Sequence, residues 1–327
     1  MTVARTSPIA TLLENGEVLV IGGCGCVAAE LYNPIAGKFA QTGSMAVARM
    51  DGSTATRLPD GRVLVAGGED QSSTLLSSAE IYDPTTGLFS STGSMTVARW
   101  GHTATLLPNG QVLIAGGQNS AGTLSSTELF DPTDGTFYVA ASMTTRRAGQ
   151  TATSLPDGRV LLVGGDPTCV NGHPIASAEI YDPKTGKFKA TGSPITARVA
   201  QTAIALANGS VLLLGGNASC TQEEPLASAE LFDPKTATFV RTGSMSVTRD
   251  TQSAARLADG RVLVAGGDDS SAELYDPTSG TFSGTGSTLS PFDSASATTL
   301  QNGNVLFAGG AQDASGNLLA AAELFQP

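Results

Sequence analysis

Charged side chains are scarce in this sequence, 14% of its 327 residues, where an ordinary globular domain carries roughly 25%. Exposed helix faces usually hold such charges, so the shortage argues against a helix-rich fold. The charge that is present is mostly negative, 29 Asp and Glu against 18 Lys and Arg, for a net −11. A phosphate backbone would be repelled, and no Lys/Arg cluster offsets the field, so nucleic acid is not an expected partner. Long apolar runs are missing as well. The longest sit around Val18–Ile21 and Val211–Leu214, far short of the roughly 20 residues of a spanning helix. Membrane insertion is not expected. The opening MTVARTSPIA has no basic segment leading into an apolar core, so no signal peptide is visible in this chain.

Chemically versatile residues are few: two His, one Trp and four Cys. The cysteines Cys24, Cys26, Cys169 and Cys220 lack the paired CxxC spacing of a metal cage. A hydrolase or lyase needs a nucleophile beside a base, or opposed carboxylates. Loop carboxylates such as Glu69, Asp70, Asp166, Asp268, Asp269, Asp293 and Asp313 show no spacing that would bring two together, nor the ligand pattern of a calcium loop. Neither a metal nor a cofactor is expected.

Repetition is what the sequence has in abundance. Seven units begin at Met1, Met45, Met95, Met143, Pro194, Met245 and Thr288 and run through to Pro327. Together they read as one domain over 1–327. Each holds two apolar stretches around Asn-Gly or Asp-Gly, at Gly16, Gly61, Gly110, Gly158, Gly209, Gly260 and Gly303. Such pairs supply the positive φ of a two-residue type I′ hairpin. A third strand follows, "SAEIYDP" in its fullest form, turning at pairs such as Asp83-Pro84 and Asp182-Pro183. A short fourth strand surrounds Phe39, Phe89, Phe137, Phe188, Phe239 and Phe282. No sustained 3.6-residue period competes with this pattern. Four-stranded units at a period of about 40–50 residues, none able to bury both faces alone, predict an all-β, seven-bladed propeller. The seventh unit ends just after its third strand, so the last blade is expected to lack its outer strand and to offer an edge for pairing.

These residues resemble the kelch family. Its marks are a diglycine closing the second strand, Gly22-Gly23 through Gly309-Gly310, and an aromatic in the third, Tyr32, Tyr82, Phe130, Tyr181, Phe232, Tyr275 and Phe325. Phe stands in the fourth strand where kelch units often carry Trp, which suggests a bacterial-type variant. Enzymes resembling this fold include copper-radical oxidases of the galactose oxidase type, whose copper takes two His and two Tyr, one Tyr cross-linked to Cys. Here four of the five tyrosines occupy the repeated third-strand slot, leaving only Tyr138 irregular. The resemblance therefore implies a propeller of that kind without the copper site.

Six units carry Arg four residues after the Met slot: Arg5, Arg49, Arg99, Arg147, Arg198 and Arg249, with Phe292 in the seventh. All seven carry Glu in the third strand. An anion-binding ring near the axis is one reading; Arg–Glu pairing that fixes blade packing is the favoured one. His102 takes a slot filled by Gln150, Gln201 and Gln252 elsewhere, as expected of a hydrogen-bonding blade residue. Function is expected where the repeat breaks. Five residues separate Gly267 from Glu273, but thirteen separate Gly165 from Glu179 and Gly216 from Glu230. These uneven loops should share a face with the inter-blade loops. The binding candidates are Trp100, Met50, Arg99, Arg147, Arg198, Asp250, Phe292 and His173, with Trp100 as the anchor for a protein or a sugar.

Cys169 and Cys220 hold equal positions in consecutive long loops, so a disulfide between them is an expectation. Cys24 and Cys26 either pair with each other or stay free thiols. Disulfides would imply an exported or cell-surface setting. The leading functional expectation is a non-catalytic propeller that binds a protein or carbohydrate partner. The alternatives are a lyase or isomerase using the arginine ring, or a purely architectural domain of a larger surface protein or designed chain.

Overall fold

The computed structural model describes residues 1–165, 174–219, 221–267, 269–289, 292–310 and 318–327. Its described residues form strands and turns, and none is helical, so no helix is long and apolar enough to cross a membrane. Six antiparallel sheets have four strands each in sequence order, and the seventh has three. We number these blades 1 to 7 along the chain. Blade 2 shows the plan: Asp51–Arg57 innermost, then Val63–Glu69, Ala79–Asp83 and Leu88–Ser91 outermost. Each innermost strand lies beside that of the next blade, and blade 1's lies beside blade 7's. The ring is closed.

Why these sequences stack this way follows from the second strand. "VLVA" at Val63–Ala66 is buried on both faces, as are Val112–Ala115 and Val211–Leu214. One blade cannot cover both faces, so neighbours must. Leu64, Ala66 and Ile81 of blade 2 pack on Val112, Ile114 and Phe130 of blade 3. Similar clusters recur from junction to junction. The outer strands are largely exposed, and an aromatic pair pins each one. Ring centroids lie 4.8 Å apart in Tyr82–Phe89 and 4.9 Å apart in Tyr32–Phe39. Each pair contributes about 0.5–1.5 kcal/mol beyond its buried area.

The hairpins correct one expectation. Among the described non-glycine residues with positive φ there is no Asn or Asp of these turns; only the glycine is left-handed, as at Gly61 (φ 87°). The Gly61 amide donates to Leu58 O at 3.0 Å and the Leu58 amide to Arg62 O at 2.8 Å. That is a three-residue loop, a type I turn closed by a glycine bulge, in place of a two-residue type I′ turn. The reason precedes the Asp-Gly pair. In blades 2, 3 and 4 Pro59, Pro108 and Pro156 stand at the second turn position, where a fixed φ near −65° suits type I and forbids type I′; the other four blades form the same turn with Glu14, Ala207, Ala258 and Gln301 there. Asp60 then accepts the Arg62 amide at 3.1 Å.

The turn between third and outer strands shows one residue out of place. Gly37, Gly87, Gly135, Gly186 and Gly280 fill its left-handed position, but blade 5 puts Ala237 there at φ 57°. An L side chain in that region costs about 1–2 kcal/mol. Ala237→Gly is therefore expected to stabilise the protein by about 1 kcal/mol, read as a higher urea midpoint. An unchanged or lower midpoint would show that the methyl's packing outweighs the strain.

Candidate functional site

The repeated charges belong to the interior. Arg99 is fully buried, and its guanidinium meets Gly116 O at 2.8 Å, Ser126 O at 3.0 Å, Ser126 Oγ at 3.3 Å and Glu128 Oε1 at 2.8 Å. Glu128 in turn accepts the Thr96 amide at 2.7 Å. The same pairing occurs within each of the first six units, from Arg5–Glu30 to Arg249–Glu273. Burial draws the Arg99, Arg147 and Arg198 pKa values below the ordinary one, while each glutamate opposes the shift. Every one of these guanidiniums clamps the diglycine carbonyl and third strand of its own blade. Arg99, Arg147 and Arg198 are thus removed from the contact surface. Phe292 is removed too: it is buried and stacks on Phe307 with centroids 6.0 Å apart.

His102 has a framework setting. It is buried, with Nε2 3.1 Å from Thr54 Oγ1 of blade 2. Burial, reinforced by the Arg99 and Arg49 cations, lowers its pKa to about 3. The glutamines in the same slot reach back one blade: Gln150 Nε2 donates to Ala115 O at 2.8 Å and Gln201 Nε2 to Val163 O at 2.9 Å. His102 is thus a neutral inter-blade contact that takes up no second ring proton near neutral pH.

What remains is the face built from the inter-blade loops and the loops between second and third strands. There the Trp100 backbone pairs with Gln118, donating at 3.0 Å and accepting at 2.8 Å. Its half-buried indole lies on Gly52, where an added Cβ would come within 2.3 Å of Cδ1. The positive φ of 63° and the close approach both require glycine there. Trp100 Nε1 has no hydrogen-bond partner among the described residues. Met50 is 39% exposed on the same face. Gln118–Thr123 forms a small hairpin of its own. A cleft of about 480 Å³ opens between it and blade 2, lined by Ser73, Leu75, Ala98, Gln118, Asn119 and Ser120. On the other side the Gln71 side chain donates to Gly25 O beside a Cys24–Cys26 disulfide. The loops of blades 1, 2 and 3 thus form one continuous surface.

Asp250 sits across the ring and accepts Asn217 Nδ2 at 3.2 Å. Ala200, Thr251 and Ser294, each two residues past the Arg/Phe slot, have φ between 51° and 56°. Blades 3 and 4 place Gly101 and Gly149 there, and that alternation was the one signal in the sequence for this strained position. His173, and the Cys169–Cys220 pairing, lie outside the described residues. A hollow of about 560 Å³ is on the opposite face. It is lined by Pro59, Asp60, Pro108 and Asn109 of the repeated hairpins. The Asn-Gly or Asp-Gly hairpin recurs in every blade, but the prolines stand only in blades 2, 3 and 4.

The Kelch motif family model matches residues 55–96 and 99–144, most of blades 2 and 3. The chain is a seven-bladed β-propeller with kelch motifs in two of its blades. No curated protein sequence matches it. Among solved structures it is similar to a fungal alcohol oxidase of the AA5 family in complex with copper. That match has a TM-score of 0.81 and 18% identity, over 99% of this chain and 74% of the oxidase chain. It is also similar to YjhT, with a TM-score of 0.70 and 15% identity, over 87% of this chain and 98% of that one. At such identities the likeness is one of fold. Among the described residues the His and Tyr side chains are not gathered into a copper centre. His102 is held against Thr54 inside the ring, and Tyr32, Tyr82, Tyr181 and Tyr275 each stack on an outer-strand Phe. Tyr138 is half-exposed and donates to Asp134. Among the described residues no three His, Cys, Asp or Glu gather to hold a metal.

Proposed function

We propose that this kelch propeller is a non-catalytic binding scaffold whose loop face over blades 1 to 3 receives a protein partner. The observation that supports it most is the Trp100 neighbourhood: a half-buried indole propped on Gly52, on the same face as the exposed Met50, its backbone paired with Gln118, which lines the 480 Å³ cleft. Large aromatic side chains held rigidly on a loop face are typical interface anchors. Methionine adds an adaptable apolar contact. A substrate-binding arginine ring loses its basis, because the six guanidiniums are committed to their own glutamates.

Trp100→Ala tests the reading. Immobilised protein is compared with the variant and with Lys187→Glu, which alters an outer strand away from this face. Proteins retained by wild type and by Lys187→Glu are expected to fall about tenfold or more on Trp100→Ala, with the melting temperature little changed. Identical retention by all three would remove Trp100 from the interface.

A further inference from the structure

The Cys24–Cys26 disulfide joins two residues of one loop, between the second and third strands of blade 1. It ties no strand to another strand and no blade to its neighbour. A bridge enclosing a single intervening residue also restricts the unfolded chain far less than one that closes a long loop. Holding the fold together is therefore a poor account of it. Both cysteines are partly exposed. They lie on the loop face beside Met50, whose carbonyl accepts the Gly23 amide at 3.0 Å.

Blade 1 departs at this point from the other five blades that carry the buried arginine. In blades 2 to 6 the arginine Nη2 meets a serine hydroxyl, from Ser78 to Ser271, at 2.6–3.3 Å. Blade 1 has Ala28 in that place, and Nη2 of Arg5 donates to the Ala28 carbonyl at 3.0 Å. Glu30 holds the Nε and Nη2 edge at 3.4 Å. Nη1 is left to the Gly22 carbonyl at 2.7 Å and to Cys24 Sγ at 3.5 Å. The Cys26 amide points at the same sulfur from 3.3 Å. Two N–H donors, one of them cationic, thus converge on Cys24 Sγ, and among the described residues none meets Cys26 Sγ. The two sulfurs are unequal. Negative charge released onto Cys24 is stabilised where it forms, which makes that sulfur the better leaving group.

We propose that this disulfide is a thiol–disulfide exchange site that accepts two electrons from a dithiol. One thiol of the dithiol, as its thiolate, attacks Cys26 Sγ. The bond between the two cysteine sulfurs breaks, and its electron pair departs on Cys24 Sγ beside Arg5. The second thiol loses its proton to water and attacks the first dithiol sulfur. That step displaces Cys26 Sγ, which takes up a proton. The dithiol leaves as a disulfide, and the chain is left with a Cys24 thiolate and a Cys26 thiol. Partly exposed, electropositive surroundings of this kind are where reactive cysteines sit. The site stands on these groups alone and does not depend on a partner at the Trp100 surface.

The test starts from the whole chain after aerobic dialysis. It is treated briefly with 2-mercaptoethanol, quenched with iodoacetamide and mapped by tandem mass spectrometry. The mercaptoethanol adduct is expected on Cys26 and the alkyl group on Cys24, about tenfold or more in excess of the reverse arrangement. Reduction should also run about tenfold or more faster than exchange of mercaptoethanol with its own disulfide. Dithiothreitol and a reduced peptide with two neighbouring cysteines should each carry the reduction to completion. A faster peptide, at equal thiolate concentration, assigns the electrons to a polypeptide dithiol, and a faster dithiothreitol assigns them to a free one. Arg5→Met combined with Glu30→Leu removes the cation without burying an unpaired carboxylate, and should slow the first step about tenfold. An unchanged rate in that variant would overturn the part given to Arg5. The adduct map needs no variant, so it decides the matter even if the double replacement fails to fold. Free thiols at Cys24 and Cys26 after dialysis would overturn the proposal. So would adducts shared equally between the two sulfurs, or reduction no faster than exchange of the free disulfide.

Discussion

Glu230→Leu is expected to cost the propeller about 3–5 kcal/mol, read from urea denaturation. Arg198 is wholly buried, and its charge is balanced by Glu230 at 3.0 Å. Desolvation already draws its pKa down, and the glutamate is what opposes that. Removing the carboxylate leaves a cation in the interior with carbonyl and hydroxyl dipoles as its only company: Gly215 O, Ser228 O and Ser228 Oγ. It also strips the Ile195 and Thr196 amides of their acceptor, at 2.7 and 2.9 Å. A surface pair of better geometry sets the scale. Arg159 and Asp157 approach to 2.7 Å but are 33% and 50% exposed, so Asp157→Ala should cost less than about 1 kcal/mol. Equal losses from the two replacements would mean that Glu230 is not truly desolvated. Blade 7 is a natural variant of the same design. Its arginine slot holds Phe292, which fills the space by stacking on Phe307, and Glu323 is left partly exposed with the Leu289 amide as its ligand.

His102→Gln should change how stability depends on pH. The folded pKa of His102 is about 3, against about 6.5 for an unfolded chain. Between those values the unfolded state binds a proton that the folded state refuses. Stability from the neutral buried ring is therefore complete above about pH 6.5 and is lost as pH falls toward 3, at up to about 1.4 kcal/mol per unit. Wild type should lose about 2–3 kcal/mol more than His102→Gln between pH 7 and 4.5. Gln is the natural replacement because Gln150, Gln201 and Gln252 fill the same slot. Carboxylates such as Asp60 and Asp157 have lowered pKa values and also make the fold acid-sensitive, but they do so equally in both proteins. Parallel stability curves would show that His102 is hydrated and titrates normally.

The repeated residues were legible because each has a job that only its side chain can do. The diglycines, the third-strand aromatics and the apolar second strands announced seven blades and the three-stranded last one. The hairpin type was misread because a type I′ turn and a type I turn with a glycine bulge both need left-handed Gly at the same point. Pro59, two residues before that glycine, separates them in blade 2, as Pro108 and Pro156 do in blades 3 and 4. Trp100 was picked out by its lone occurrence, but its support on Gly52 arises from the approach of two blades and leaves no trace in local spacing. The arginines were ambiguous for a related reason. Arg and Glu lie about 24–32 residues apart in each unit, and only the fold decides whether a guanidinium turns into the blade or toward the axis. Phe292 was drawn into the binding set by its arginine slot, and that slot proves to be interior.

The account rests on Arg and Glu acting as one interior unit, which leaves recognition to the loops. A double-mutant cycle on Arg198→Met and Glu230→Leu, followed by urea denaturation, measures this coupling directly. With both charges gone no uncompensated ion is buried, so the double variant is expected to cost no more than the costlier single one. A double variant losing the full sum of the two single losses would show that the residues act independently and would contradict the account.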